Sequence, residues 1–296
     1  MKATMMPEQA ISITVLLPVR NGAKTIVSAV RSILDQTFDD FELVVLDDGS
    51  TDNTVTLIQG LKDSRVRLIS DARQLGLAER LNQGLDLARG RYLARMDADD
   101  LSFPERLRRQ FEFLEQHGDI DLLGCRVAIF RNDGSIVGFH PFRQTHEAIC
   151  ARPWRGFPLP HPTWMGRVAW FRKHRYRIPE VRRAEDQELL LRSCTESRFA
   201  CLDETLLAYR QGHYSVRSTL VARRALLQVQ LQTFAKRQQW TNALLAAVSS
   251  GVKIAVDVLA ALPGMDRGLA FRRVEDPVPP NVVAKIEALL ANASRP

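Results

Sequence analysis

Within the first hundred residues, short apolar runs alternate with helical stripes three or four times over, and polar residues gather where each run ends. Ile11 to Leu17 is a β-rich run stopped by Pro18. Val19-Arg20-Asn21-Gly22 then reads as a loop, and Ile26, Val30, Ile33 and Leu34 fall on one helical face. Phe41 to Leu46 and Val66 to Ile69 are further strands, Leu77, Leu81, Leu85 and Ala88 mark a helix closed by Gly90, and Tyr92 to Met96 is the next strand. Strands that are apolar throughout and separated by helices need cover on both faces, so the pattern predicts an α/β fold with a mostly parallel sheet between helical layers. Such sheets bind ligands at the carboxyl ends of their strands.

Two of those ends carry most of the chemistry. The second strand runs into Asp47-Asp48-Gly49-Ser50-Thr51-Asp52, where a carboxylate can accept from a nucleobase or ribose and Ser50, Thr51 or Asp52 caps a helix starting near Asn53. Turn and cap chemistry alone would also account for the hexapeptide. Tyr92 to Met96 runs into Asp97-Ala98-Asp99-Asp100, three carboxylates in four residues. Asp97 and Asp99 are two apart and can converge, which suits Mg²⁺ or Mn²⁺, hard ions that leave coordination positions open to phosphate and water. A solvated acidic turn ahead of a helix beginning at Phe103-Pro104-Glu105-Arg106 is the plainer alternative.

Charge divides along the chain: net −3 over residues 1–100, +5 over 101–200 and +5 over 201–296. The basic part suits an anionic partner such as a phospholipid surface or a pyrophosphate-linked substrate. No nucleic acid partner is expected, because no helix-turn-helix, zinc finger or aromatic RNA-binding signature accompanies the charge. Cys125, Cys150, Cys194 and Cys201 form no C-x-x-C pair and sit in apolar surroundings, which argues against a zinc site or disulfide framework and for a cytoplasmic setting. Met1 to Gln9 lacks a signal-peptide pattern.

In the second half, Leu122 to Phe130 and Ile136 to Phe139 flank Asn132-Asp133-Gly134, a hairpin signal that predicts a mixed sheet edge. Residues 153–162 hold four prolines and read as a loop; Trp154, Trp164 and Trp170 nearby would either stack on a sugar or pack in the core. His161 would position substrate or support its loop. Arg172, Lys173, Arg175, Arg177, Arg182 and Arg183 form a solvated basic face or an acceptor-phosphate contact. Glu185-Asp186-Gln187-Glu188 opens an apolar-periodic segment, so Asp186 lies near a helix N-terminus. The positive helix end would keep it ionised, which suits either a dipole cap or a general base.

Taken together, Pro18-Val19-Arg20-Asn21-Gly22, Val45 to Asp52, Gly76-Leu77-Ala78 with Asn82, Ala94 to Asp100, His161-Pro162-Thr163 and Ala184-Glu185-Asp186 resemble, in order and spacing, the family 2 glycosyltransferases of the GT-A fold over residues 11–210. The resemblance implies a GT-A-like, Rossmann-type mixed sheet and an inverting, metal-dependent sugar transfer from a nucleoside-diphosphate sugar. It places Asp48 on the nucleobase with Pro18 and Arg20 beside it, and makes Asp97 and Asp99 the D-x-D site for Mg²⁺ or Mn²⁺. Asp186 becomes the general base, and Asn21, Asn82, Asp97, His161 and Glu185 join the substrate-binding set. One departure is Arg20, where such enzymes commonly carry an aromatic residue; a guanidinium can also stack on a base.

The expected organisation is a catalytic domain over residues 1–217, with a nucleotide-binding half at about 11–118 and an acceptor half at about 119–217, followed by a helical C-terminal region over 218–296. There Val221 to Ala235 reads as helix, and Trp240 to Leu262 is apolar except for Lys253 and Asp257. Leu244, Leu245, Val248, Val252, Ala255, Val256 and Leu259 form a stripe that would pack on the catalytic domain or a partner, lie on a membrane, or belong to a span. Asp276-Pro277-Val278-Pro279-Pro280 is a linker into a last short helix. The expected acceptor is a glycan or lipid-linked glycan in bacterial cell-surface polysaccharide synthesis, and the expected setting of the protein is the cytoplasm or, peripherally, the inner face of the cell membrane. The rivals are a catalytically silent nucleotide-sugar-binding scaffold and a sugar-phosphate nucleotidyltransferase. The latter is disfavoured because only one glycine follows the first strand.

Overall fold

The computed structural model describes residues 11–179, 181, 183–212, 215–260 and 278–293. Four strands, β1 (Ile13–Val19), β2 (Phe41–Asp47), β3 (Val66–Ser70) and β4 (Tyr92–Arg95), lie parallel in the order β3-β2-β1-β4. The helices between them are α1 (Ile26–Leu34), α2 (Thr54–Gly60) and α3 (Leu77–Leu87). Period-two alternation divides the core: Leu16, Val44 and Leu46 face Leu81 and Leu85 of α3, whereas Val15, Leu17 and Val45 face Ile26, Val30 and Ile33 of α1. Gly84 lets α3 approach closely, since a Cβ there would lie 2.8 Å from Leu16 Cδ1 and Leu46 Cδ1. Truncating a fully buried member such as Leu81 to Ala should cost about 2–5 kcal/mol.

β1 runs through Pro18, where the sequence suggests a stop. The Leu16 carbonyl accepts from Met96 on the β4 side, and Pro18 shares that parity, so its missing N–H faces a point where β4 has already ended.

Past β4 the sheet becomes mixed, as the hairpin signal predicts. β8 (Met165–Arg167) is antiparallel to β4, β6 (Leu122–Arg131) is antiparallel to β8, and β9 (Phe199–Gln211) runs parallel to β6. β5 (Leu101–Ser102) closes the far side against β9, and β7 (Ile136–Phe139) pairs with the later part of β6. The remaining helices are α4 (Arg106–Gln116), α5 (His146–Cys150), α6 (Val168–Lys173), α7 (Glu185–Ser193), α8 (Val216–Lys236), α9 (Trp240–Ala260) and α10 (Pro280–Ala293). Trp164 and Trp170 are buried, with their indole N–H groups donated to the Leu159 carbonyl and Ser197 Oγ, and Trp154 packs against the same core. Packing, not an open stacking surface, therefore accounts for Trp164 and Trp170.

The C-terminal helices divide between two jobs. α10 returns to the mixed end of the sheet, burying Ile286 among Leu101, Phe103 and Phe130. α8 packs through Val229 and Phe234, and Arg237 just after it donates to the Leu191 and Arg192 carbonyls at the end of α7. Of the alternatives open for the α9 stripe, packing on the rest of this chain does not hold: Leu244, Val248 and Val252 face outward and are exposed, while Ala246, Ser250 and Asp257 turn inward. Asp276 and Pro277 of the expected linker, and Arg182 of the basic cluster, lie outside the described residues.

Candidate active site

The loops after β1 and β2 are fastened to each other. Asn21 adopts a left-handed backbone, φ 51°, with its N–H donated to Ser50 Oγ at 2.9 Å and its Oδ1 accepting from Thr51 N at 2.8 Å. Gly22 N–H is donated to Thr54 Oγ1 and Ala23 N–H to Asp52 Oδ2. Pro18 is buried beneath this latch and Arg20 stands exposed beside it. Asp48 turns to the loop before α3, where Oδ1 accepts from Leu75 N (2.7 Å), Gly76 N (3.1 Å) and Arg80 Nε (3.1 Å). Arg80 is fully buried and also grips Asp71 at 2.7 Å, holding the Asp71 carboxyl well below its usual range. Asn82 uses both ends of its amide on the Tyr176 backbone, Nδ2 to O at 2.9 Å and N to Oδ1 at 3.1 Å.

At the end of β4 the chain turns sharply, and one ligand atom from each of Asp97, Asp99 and Asp100 lies within 4.8 Å of the others. Arg95 Nη2 meets Asp97 Oδ1 at 2.6 Å. Arg106 Nη2, from α4, holds the Arg95 carbonyl at 2.7 Å and fixes the strand end from below. Asp100 is buried; its Oδ1 accepts from Arg210 N at 2.9 Å and its Oδ2 has no partner. Arg210 Nε is donated to the Asp99 carbonyl at 2.7 Å, so the end of β9 braces the turn. Burial and neighbouring carboxylates raise the pKa values of Asp99 and Asp100, a sign of a cluster short of positive charge.

The third component is the start of α7. Ala184, at φ 60°, turns the chain into the helix so that Glu185 and Asp186 occupy its first turn. Gln187 is pinned to Phe157 (N to Oε1, 2.8 Å) and donates Nε2 to Asp186 Oδ2 at 3.2 Å. Gly156 permits this approach, since a Cβ there would lie 2.9 Å from Gln187 Oε1. Burial, Asp186 and Asp97 push Glu185 up to about 7, against the pull of Arg95. His161 is buried with Nε2 2.7 Å from Tyr176 Oη, and burial plus Arg95 lowers its pKa well below the usual range. It is a neutral hydrogen-bonding group at physiological pH.

The fold thus joins Asp97, Asp99, His161, Glu185 and Asp186 around the buried Arg95, while Arg20, Asn21 and Asp48 form the β1–β2 rim. Sequence reading did not single out Arg95, Tyr176, Arg80 or Arg210 as site-building residues. Arg95 and Arg210 lie in strands, Arg80 in α3 and Tyr176 in a loop, and in none of these settings does a basic or aromatic residue carry a periodic mark of a partner far along the chain.

Residues 14–175 match the family model described as glycosyl transferase family 2, over half of the chain. The chain belongs to this family. As a family 2 glycosyltransferase it has relatives in bacteria: it is 34% identical over 206 residues to the putative glycosyltransferase EpsE of Bacillus subtilis, covering 67% of this chain and 73% of EpsE. It is 28% identical over 241 residues to the O-antigen biosynthesis glycosyltransferase WbnJ of Escherichia coli, covering 78% and 92%. A solved structure of S. aureus TarS in complex with UDP-GlcNAc shares its fold, with a TM-score of 0.60, 19% identity and coverage of 95% of this chain and 80% of that one. In this family 2 glycosyltransferase the oxygen-only cluster at the end of β4 faces the Glu185–Asp186 pair at the start of α7.

Proposed function

We propose that this chain transfers a sugar from a nucleoside-diphosphate sugar to a hydroxyl of a glycan or lipid-linked glycan, inverting the anomeric carbon. The process is synthesis of a bacterial cell-surface polysaccharide, with the acceptor at the inner face of the cell membrane and the catalytic residues in the cytoplasm. The observation that carries this reading is the meeting of the β4 carboxylates with Glu185 and Asp186 around Arg95. Arg20, Asn21, Asp48 and Pro18 lie where β1 and β2 end and take the nucleotide base and ribose. Arg20 supplies a planar cation for stacking, and Asn82 keeps Tyr176 against His161.

The all-oxygen donor set, with the orphaned Asp100 Oδ2 behind it, fits Mg²⁺ or Mn²⁺ held by Asp97 and Asp99. When bound, such an ion stabilises the negative charge that gathers on the departing diphosphate. Asp186 takes the proton of the acceptor hydroxyl as its oxygen bonds to the anomeric carbon and the bond from that carbon to the diphosphate breaks. Attack from the face opposite the leaving group inverts the carbon. Gln187 keeps the Asp186 carboxylate oriented, and neutral His161, Tyr176 and Glu185 position substrate.

A thermal-shift screen of nucleoside diphosphates and their sugars with Mn²⁺ tests the donor class. A ligand at 100 times its Kd should stabilise the fold by about 2.7 kcal/mol. Stabilisation without release of diphosphate in the presence of any acceptor would instead favour a silent nucleotide-sugar-binding scaffold.

A further inference from the structure

We infer that the α8–α9 hairpin is a docking surface for an anionic lipid bilayer, with α9 lying in the membrane plane. Helix α9 is built inside out for a helix in water. Its outward face presents Trp240 (66% exposed), Leu244 (66%), Leu245, Val248 (56%), Val252 (60%), Val258 and Leu259. Its two charged groups and Ser250 point into the protein: Ser250 is buried, Lys253 Nζ is donated to the Arg155 carbonyl at 2.8 Å, and Asp257 is buried in an ion pair with Arg223 of α8. A soluble surface helix places these classes the other way round, and a contiguous exposed apolar face marks a binding surface.

Charge identifies the occupant. From Thr205 to Val256 the sequence holds no Asp or Glu but seven Lys or Arg residues. Arg217, Arg224 and Lys236 of α8 are exposed, and the Asp257 carboxylate near the end of α9 is consumed by Arg223. Every exposed charge described on the hairpin is therefore positive. Lys236, four residues before Trp240, also lines a cavity of about 590 Å³ together with Arg177, Arg183 and Glu188, where Glu188 pairs with Arg177 at 3.3 Å and the lining keeps a net positive charge. An apolar face with a Trp at one end and a basic flank is the pattern of a helix lying at the lipid interface. By length and composition α9 could cross a bilayer, but crossing would pull Asp257 away from Arg223 and carry charge into hydrocarbon. The in-plane orientation keeps that pair intact.

None of these outward side chains belongs to the catalytic machinery, so this inference stands apart from the transferase reading. The test is sedimentation of the full chain with vesicles of phosphatidylcholine alone and of phosphatidylcholine with phosphatidylglycerol. Binding should require the anionic lipid and weaken as salt rises. Val248→Asp/Val252→Asp, on the exposed face, and separately Arg217→Glu/Arg224→Glu, should each reduce partitioning at least about tenfold. Unchanged near-ultraviolet circular dichroism and melting would show that each variant remains folded. Four results would overturn the inference: no binding to anionic vesicles, equal binding to neutral ones, binding that survives alkaline carbonate extraction as a span would, or a stable dimer in solution that Val248→Asp/Val252→Asp dissolves.

Discussion

Arg95 Nη2 lies 2.6 Å from Asp97 Oδ1, with the arginine side chain only 3% exposed and its Nε and Nη1 lacking hydrogen-bond partners. A buried guanidinium with donors to spare, close to Asp97, Asp99, Asp100 and Glu185, is the electrostatic centre of this site. It holds Asp97 in place and offsets the crowding of Asp97, Glu185 and Asp186.

Arg95→Met should therefore loosen the carboxylate cluster more than the fold. We expect a loss of about 1–3 kcal/mol in stability, discounted because Asp97 is partly solvated, together with a fall of at least tenfold in kcat/KM. Chemical denaturation and steady-state kinetics measure the two. Full activity in Arg95→Met would mean that Asp97 needs no positioning by this cation.

Asp99→Asn keeps the shape of the side chain and removes its charge. Metal-dependent nucleotide affinity should collapse, while melting without metal should hold or rise slightly, since repulsion with Asp97 and Asp100 is relieved. Calorimetric titration with and without Mn²⁺ reads this directly. Equal Mn²⁺-dependent binding by variant and parent would remove Asp99 from the metal site.

Asp48 is expected to serve two purposes. Its carboxylate holds the loop before α3 through Leu75, Gly76 and the buried Arg80, so Asp48→Ala should cost about 2–4 kcal/mol and weaken donor binding together. Lost donor affinity with unchanged melting would mean that Asp48 acts only through its ligand.

Glu185 gives the protein a pH signature. Its pKa is raised from 4.5 to about 7, chiefly by burial, so the folded state holds this proton more tightly than the unfolded chain. The stability it contributes is fully present below about 4.5 and is lost as pH rises through about 7. Glu185→Gln should remove that decline, leaving the variant a few degrees more stable relative to the parent at pH 8 than at pH 5. Parallel melting curves across the range would show that Glu185 titrates normally.

Much of this is legible in the sequence alone. The parallel β1–β4 series, the β6–β7 hairpin and the placement of Asp186 in the first turn of α7 follow from periodicity and turn residues. β9 was not legible, because its polar Asp203, Glu204 and Thr205 interrupt the apolar pattern where the register with β6 shifts. Nor was Pro18 inside β1, since the end of β4 excuses its missing N–H only once strand lengths are known. In the site, motif spacing picked out the carboxylates, but Arg95 draws its meaning from Glu185, ninety residues later, and from Asp97 at once. The outward turn of α9 was hidden because a stripe at helical spacing does not say which side of it is covered.

The most direct measurement of the central claim is acceptor-dependent release of nucleoside diphosphate from the sugar nucleotide chosen by the thermal-shift screen, comparing the parent with Asp186→Asn. Both should bind donor and metal equally and melt alike, and the variant should release diphosphate at least 10²-fold more slowly, because an amide cannot take the acceptor proton. Release at the parental rate by a folded, donor-bound Asp186→Asn would contradict the assignment of Asp186 as the base.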